Sequence, residues 1–231
     1  MQTFASKAIP FYKNLQFPNS IKIPKSVQIL NPFNKAPHFY KIFFNRFFNN
    51  SQKRTFIFGI NPGRFGSGIT GIAFTDPVTL TEKLSISNDL PQKRELSATF
   101  ITEVIESMGG FDSFYNHFYI TSLSPLGFTK NGANFNFYDD KQLASNIKPF
   151  IIEKINVQLT FGANRNLAFC LGSAKLFKYF NELNNEHKFF EKIIPLEHPR
   201  FIMQYKLKEK KVFLKKYLKH LSLTQVYSAK L

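Results

Sequence analysis

Four short apolar runs punctuate this chain, and the stretches between them are each long enough to hold a helix. The runs are Thr55–Ile60, Phe118–Leu123, Val157–Phe161 and Phe189–Leu196. Antiparallel strands can be joined by two residues, whereas parallel strands need a crossover of about a dozen or more. The spacing therefore predicts a three-layer α/β/α architecture around a central, mostly parallel four-stranded sheet. Helical periodicity predicts helices over 38–48, Leu96–Met108, Asp139–Ile155 with a disturbance at Pro149, Asn164–Leu183 and Tyr205–Leu221. In the last of these, Leu207, Leu214, Leu218 and Leu221 share one face and lysines the other. Residues 1–35 carry Pro10, Pro18, Pro24 and Pro32 with little periodicity. They read as a basic, extended arm, which leaves 36–231 as a single domain.

In sheets of this kind ligands bind outside the carboxyl ends of the strands. Three expected strands end in polar loops rich in Gly or Pro: Asn61–Pro77, Ser122–Asn136 and Glu197–Gln204. Function is expected there. Composition narrows what it can be. A single cysteine, Cys170, excludes a disulfide scaffold, a four-cysteine zinc site and a cysteine-held iron–sulfur cluster. Cys170 falls in an expected helix and reads as an inert core residue. No apolar run is long enough to span a bilayer, and the first 25 residues lack a continuous apolar core for a secretory signal. A reducing, cytoplasmic setting is expected.

Charge is distributed unevenly. Residues 1–54 hold nine Lys/Arg and no Asp/Glu, residues 188–231 hold eleven against three, and the centre holds eleven against twelve. The net charge of +16 therefore sits at the two ends. Such a field attracts polyanions, nucleic acid first. A compositional bias toward Lys and Phe would also raise the charge, but it would raise it in the centre too.

Gly66-Ser-Gly-Ile-Thr-Gly71 matches G-x-G-x-x-G. A dinucleotide site needs the first glycine to follow its strand directly. Here five residues follow the expected strand before Gly66, and the segment after Gly71 starts a helix poorly. No Gly-Lys-Ser/Thr occurs, so the phosphate loop of the nucleoside triphosphatases is absent. A nucleotide-dependent enzyme using Gly66–Gly71 is thus a minor alternative.

The whole segment from Gly59 to Pro77 reads Gly-Ile-Asn-Pro-Gly-Arg-Phe-Gly-Ser-Gly-Ile-Thr-Gly-Ile-Ala-Phe-Thr-Asp-Pro. It resembles the first motif of the single-strand-selective monofunctional uracil-DNA glycosylases, the SMUG branch of the uracil-DNA glycosylase superfamily. That motif runs Gly-Met-Asn-Pro-Gly-Pro-Phe-Gly, then Thr-Gly-Val-Pro-Phe. Glu197-His-Pro-Arg-Phe201 is similar to the family's His-Pro motif, which lies between the last strand and the final helix. Phe118–Leu126 is similar to the family's middle strand, which ends Asn-Leu-Cys-Pro-Leu. Three motifs in order cover about residues 50–220 and are more similar to a bacterial SMUG2-type subgroup than to the animal enzymes.

The resemblance implies a monofunctional DNA glycosylase. It would take a deaminated base out of DNA and hydrolyse its N-glycosidic bond, with no metal or organic cofactor. It assigns His198 as the donor to the uracil carbonyl and Asn61 as the residue that positions the attacking water. Phe74 would stack on the extruded base, and Phe65 is expected among the substrate-binding residues. Gly63 stands where the main branch has a bulky Tyr, which leaves room for 5-hydroxymethyluracil. Pro199, Arg200 and Phe201 occupy the wedge that would contact DNA, together with Lys206. The family's uracil-reading Asn is Ser122 here, so xanthine or another deaminated base is also an expected substrate; Asn131, Asn134 or Asn136 are candidates to replace the missing amide. The expected partner is DNA, without a membrane, bound by a monomer associated with the nucleoid. The rival reading is a basic α/β protein that binds nucleic acid without chemistry.

Overall fold

Every residue of Arg54–Gly59 is buried, because neighbouring strands pair with it on both edges and helices cover both faces. The computed structural model describes residues 2–35 and 37–228. In chain order its elements are α1 (Phe4–Lys13), β1 (Val27–Leu30), α2 (Pro32–Lys35), α3 (Pro37–Phe47), β2 (Arg54–Gly59), α4 (Ser67–Thr70), α5 (Pro77–Glu82), α6 (Leu96–Ser107), α7 (Gly110–His117), β3 (Phe118–Ser122), β4 (Gly127–Lys130), β5 (Ala133–Phe135), α8 (Lys141–Leu159), β6 (Ala163–Leu171), α9 (Lys175–His187), β7 (Lys192–Leu196), α10 (Pro199–Tyr205) and α11 (Lys210–Ser228). The four-stranded sheet has the order β3-β2-β6-β7, with every pair parallel. That is the expected α/β architecture.

Two expected elements are corrected. Val157–Phe161 is not a strand; Val157–Leu159 is the end of α8. Gln158 is fully buried there and accepts a hydrogen bond from Thr121 Oγ1 at 2.6 Å. The helix is held by that polar contact and by Ile147, Ile151 and Ile155 on the same buried face. Likewise, Asn164–Leu183 is not one helix. Its first part is β6, whose run Leu167–Leu171 is buried between β2 and β7. A short apolar run suits a helix and a buried strand equally well, and only the flanking strands decide. Cys170 is therefore a core residue of a strand, not of a helix.

The expected extended arm is also corrected over residues 4–13. These form α1, with Thr3 Oγ1 capping the Ser6 amide at 3.1 Å. Phe4, Ala5, Ala8 and Tyr12 lie on one helical face and belong to the same core as Phe56 and Tyr119. The amides of Phe4 and Ala5 donate to the carbonyls of Asn50 and Phe48 at 2.7 and 2.9 Å. Pro10 hid the helix from periodicity. Packing of the apolar face outweighs the one hydrogen bond it removes. At the other end, the expected helix from Tyr205 is two helices, and Leu207 is exposed between them.

Arg54 at the start of β2 is fully buried, with no carboxylate partner among the described residues. Its guanidinium donates to the carbonyls of Tyr115 (2.7 Å), Gln52 (2.8 Å) and Phe47 (3.2 Å) and to Asn50 Oδ1 (2.9 Å). The rings of Phe4 and Phe48 lie 5.1 and 4.7 Å from it. Burial pulls its pKa down to about 10. One residue so ties α1, α3, α7 and the sheet together. Replacing Arg54 with Ala leaves several carbonyls unpaired, and at about 1.5–3 kcal/mol per hydrogen bond to a charged group we expect a loss of about 3 kcal/mol or more, read as a lower midpoint in urea unfolding.

Candidate active site

Chain leaving the carboxyl end of β2 must turn sharply, and glycine governs the turn. A Cβ on Gly59 would meet the Phe74 ring at 3.0 Å, so the absent side chain lets Phe74 lie on the strand end. Phe74 itself sits at φ +50°, a left-handed conformation unusual for an aromatic residue. Buried Thr70 holds it there: its hydroxyl donates to the Thr75 carbonyl at 2.8 Å and accepts from the Ile72 amide at 3.2 Å. Gly66–Gly71 is no dinucleotide loop. It folds as α4 against Gly63, whose carbonyl accepts from the Gly68 amide at 2.8 Å.

A second, three-stranded antiparallel sheet, β1-β4-β5, closes over this turn. Asn131 and Gly132 connect β4 to β5, both at positive φ. The hairpin brings the Asn134 side chain to the turn after β2, where Oδ1 accepts from the Arg64 amide at 2.9 Å. Asn61 Nδ2 donates to the Phe135 carbonyl at 3.4 Å. That leaves Asn61 Oδ1 buried and without a partner among the described residues.

His198 caps α10, with Pro199 in the first helical position. Its Nδ1 accepts from the Arg200 amide at 3.1 Å, which places the proton of the neutral ring on Nε2. Burial, reinforced by the Arg200 guanidinium, lowers its pKa to about 4. Neutral His198 is thus a donor through Nε2, with its ring 6.1 Å from that of Phe74. The preceding Glu197 is clamped from α11: Tyr217 Oη donates to its carbonyl, and Lys216 Nζ lies 2.7 Å from Oε1.

These groups share one pocket of about 640 Å³, open mouth included. Asn61, Gly63, Phe74, Ser122, His198 and Arg200 all line it. The family model described as the uracil DNA glycosylase superfamily matches residues 46–222. The chain belongs to the uracil DNA glycosylase superfamily. It is thereby a DNA-repair glycosylase of the hydrolase class. A solved structure, wild-type SMUG2 of Pedobacter heparinus, is similar at a TM-score of 0.93 and 42% identity, over 97% of this chain and 99% of that one. No curated protein matches the chain.

Against this family the remaining candidates sort clearly. Phe65 is not among the pocket's lining residues. Its ring lies between the Arg64 guanidinium at 4.3 Å and the Lys93 ammonium at 4.0 Å. Pro199 is buried under the helix start, and Lys206 pairs with Glu209 at 2.9 Å. Phe201 is exposed and lines a wider groove of about 1520 Å³ that continues from the pocket, with Tyr205, Ser173 and Lys175. Of the three candidate amides, Asn134 and Asn136 reach the pocket, and Asn131 sits at the tip of the hairpin. Sequence reading missed Glu95 and Ser97 in the lining. Neither lies in a recognisable motif. The hairpin did carry a signal, since Asn131-Gly132 is a dipeptide that favours a two-residue turn.

Because the His198 pKa is depressed, the ring stays neutral as pH falls through the ordinary histidine range and takes its proton only near pH 4. Nitrogen-15 NMR of the imidazole should show an Nε2–H tautomer at pH 6 and titration close to pH 4.

Proposed function

We propose that this pocket receives a uracil extruded from DNA and hydrolyses its N-glycosidic bond to leave an abasic site. The observation that carries the reading is the pairing, in one pocket, of a neutral donor histidine with an amide oxygen that has no partner among the described residues. Bond cleavage moves electrons from the breaking C1′–N1 bond onto the base. The resulting charge is spread over the uracil carbonyls, and His198 Nε2–H is the preorganised donor to one of them. Asn61 Oδ1 accepts a hydrogen bond from the attacking water and orients its lone pair toward C1′. The remaining water proton passes to solvent as the new C1′–O bond forms, and the base leaves as an anion. An amide is no strong base, so most of the acceleration comes from the leaving-group side. Phe74 stacks on the base; such stacking contributes about 1–3 kcal/mol per base.

Among the described residues, the only cation in the lining is Arg200, and no lysine reaches it. An amine is needed to form a Schiff base with the abasic sugar. We therefore infer a monofunctional enzyme, whose product strand breaks only on treatment with alkali. Ser122 donates or accepts through one oxygen, and the space that a side chain at Gly63 would take is filled by Glu95 Oε1 and Asn134 Nδ2, at 3.2 and 3.3 Å. Ser122 favours a base range that includes xanthine, and 5-hydroxymethyluracil would place its hydroxyl against these two polar groups.

The test is a set of oligonucleotides, each carrying one uracil, 5-hydroxymethyluracil or xanthine, in single- and double-stranded form. Alkali-dependent cleavage with at least one base is the expected result; binding without base release would instead favour a non-catalytic nucleic-acid binder. His198→Ala should lose about 100- to 1000-fold in single-turnover rate while DNA affinity is kept.

The lysines divide too. Lys206, Lys210 and Lys216 are engaged by Glu209, Glu103 and Glu197, whereas Lys208, Lys211, Lys215 and Lys219 extend into solvent. Replacing each of the latter by Ala should lower the salt slope of DNA binding by about 1 for every phosphate no longer neutralised, with the rate at saturating DNA unchanged.

A further inference from the structure

Glu95 stands at the N-cap position of α6, yet its side chain does not cap the helix. It turns into the pocket instead. Its oxygens occupy space that the glycines of the catalytic turn leave empty: a Cβ on Gly66 would collide with Oε2, and one on Gly63 would come within 3.2 Å of Oε1. Its backbone is fixed, since the Glu95 amide donates to Asp76 Oδ2 at 2.7 Å. Asp76 in turn is fully buried and caps α5 through Oδ1. Among the described residues, no group donates a hydrogen bond to the Glu95 carboxyl, and none forms an ion pair with it. A carboxyl group placed in the pocket from an anchored backbone, with no partner among the described residues, has its hydrogen-bonding capacity free for a ligand.

Ionised, that carboxyl would oppose the chemistry. The departing base gathers negative charge, and a carboxylate beside it would repel that charge. Neutral, the same group offers an O–H donor to a base carbonyl, as His198 does from its own side. The surroundings favour the neutral form. Burial acts first, and the buried carboxylate of Asp76 adds to it; the Arg200 guanidinium acts in the other direction. Together they raise the pKa to about 7. His198 is neutral at this pH and adds no charge. A DNA phosphate on Arg200 would offset the one opposing charge and favour the neutral acid further.

We propose that Glu95 is a catalytic residue that acts as a neutral acid, donating a hydrogen bond to a carbonyl of the departing base. The proposal rests on the glycosylase reading above. No proton need be transferred: the O–H bond stays intact while the C1′–N1 electrons settle on the base.

Single-turnover base release at saturating uracil-containing DNA, followed from pH 5.5 to 9, tests this. The wild-type rate should fall on the alkaline side in proportion to the neutral fraction of Glu95, with an apparent pKa at or above about 7. Glu95→Ala should lose about 100-fold at pH 6 and show a flat profile, with a circular-dichroism spectrum like that of the wild type. Glu95→Gln carries an N–H donor in the same place. It should recover much of the rate lost in Glu95→Ala, also with a flat profile. An alkaline limb that survives in Glu95→Gln, or a wild-type profile flat to pH 9, would overturn the role of Glu95. Equal losses in the Ala and Gln variants would overturn it as well. Absence of base release by the wild-type protein at every pH would instead remove the glycosylase reading on which it rests.

Discussion

Close approach of backbone at the carboxyl end of β2 is the constraint on which the site depends. Strand β2 is buried on both faces, so the turn after it must be made inside the protein. Gly59 admits the Phe74 ring, Gly63 and Gly66 admit the Glu95 carboxyl, and Gly68 lets α4 fold onto the Gly63 carbonyl. A side chain at Gly68 would meet the Gly63 backbone, and one at Gly63 or Gly66 would displace the Glu95 carboxyl. At the opposite end of the same strand, buried Arg54 gathers the carbonyls of Phe47, Gln52 and Tyr115. The strand is thus anchored at its start and left bare at its finish, where the chemistry is placed.

Electrostatics follow the same division. The pocket is lined largely by groups that do their work uncharged: amides, hydroxyls, an aromatic ring and a histidine held neutral. Most of the charge is carried outside it. Even there the number of basic residues overstates the field available to DNA. Arg54 is spent inside the core, and Lys206, Lys210 and Lys216 are paired with carboxylates. The lysines left free on and before α11 lie beyond the histidine motif. On the proposed function, affinity for a polyanion and cleavage of a neutral glycosidic bond would fall to different residues.

Much of the site was legible because its residues come in local motifs. Asn61, Gly63 and Phe74 lie in one loop, and His198 through Phe201 in one short turn. Their spacing is a property of the chain itself. The misreadings have a different origin. Val157–Phe161 and Leu167–Leu171 are both short apolar runs, and nothing local says which becomes a strand. Gln158 meeting Thr121 across the core decides the first, and pairing with β2 and β7 decides the second. Pro10 concealed α1, whose stability comes from contacts with Phe48 and Tyr119 rather than from propensity. Phe65 looked like a pocket residue from its place in the motif. Its ring is drawn instead between two cations on the surface.

Sequence alone determined the fold class and the strand whose turn lines the pocket, and the family motifs singled out Asn61, Phe74 and His198, which the structure brings into one pocket. The first follows from periodicity, the second from motifs whose residues lie close together in the chain. Only the tertiary structure decided what surrounds them. It brought Glu95, far along the chain from Asn61, and Asn134, from a separate small sheet, into the same pocket. It also decided the protonation of the two titratable groups, pushing His198 down and Glu95 up. Burial and neighbouring charge act through space, and the order of residues along a chain does not record which of them will meet.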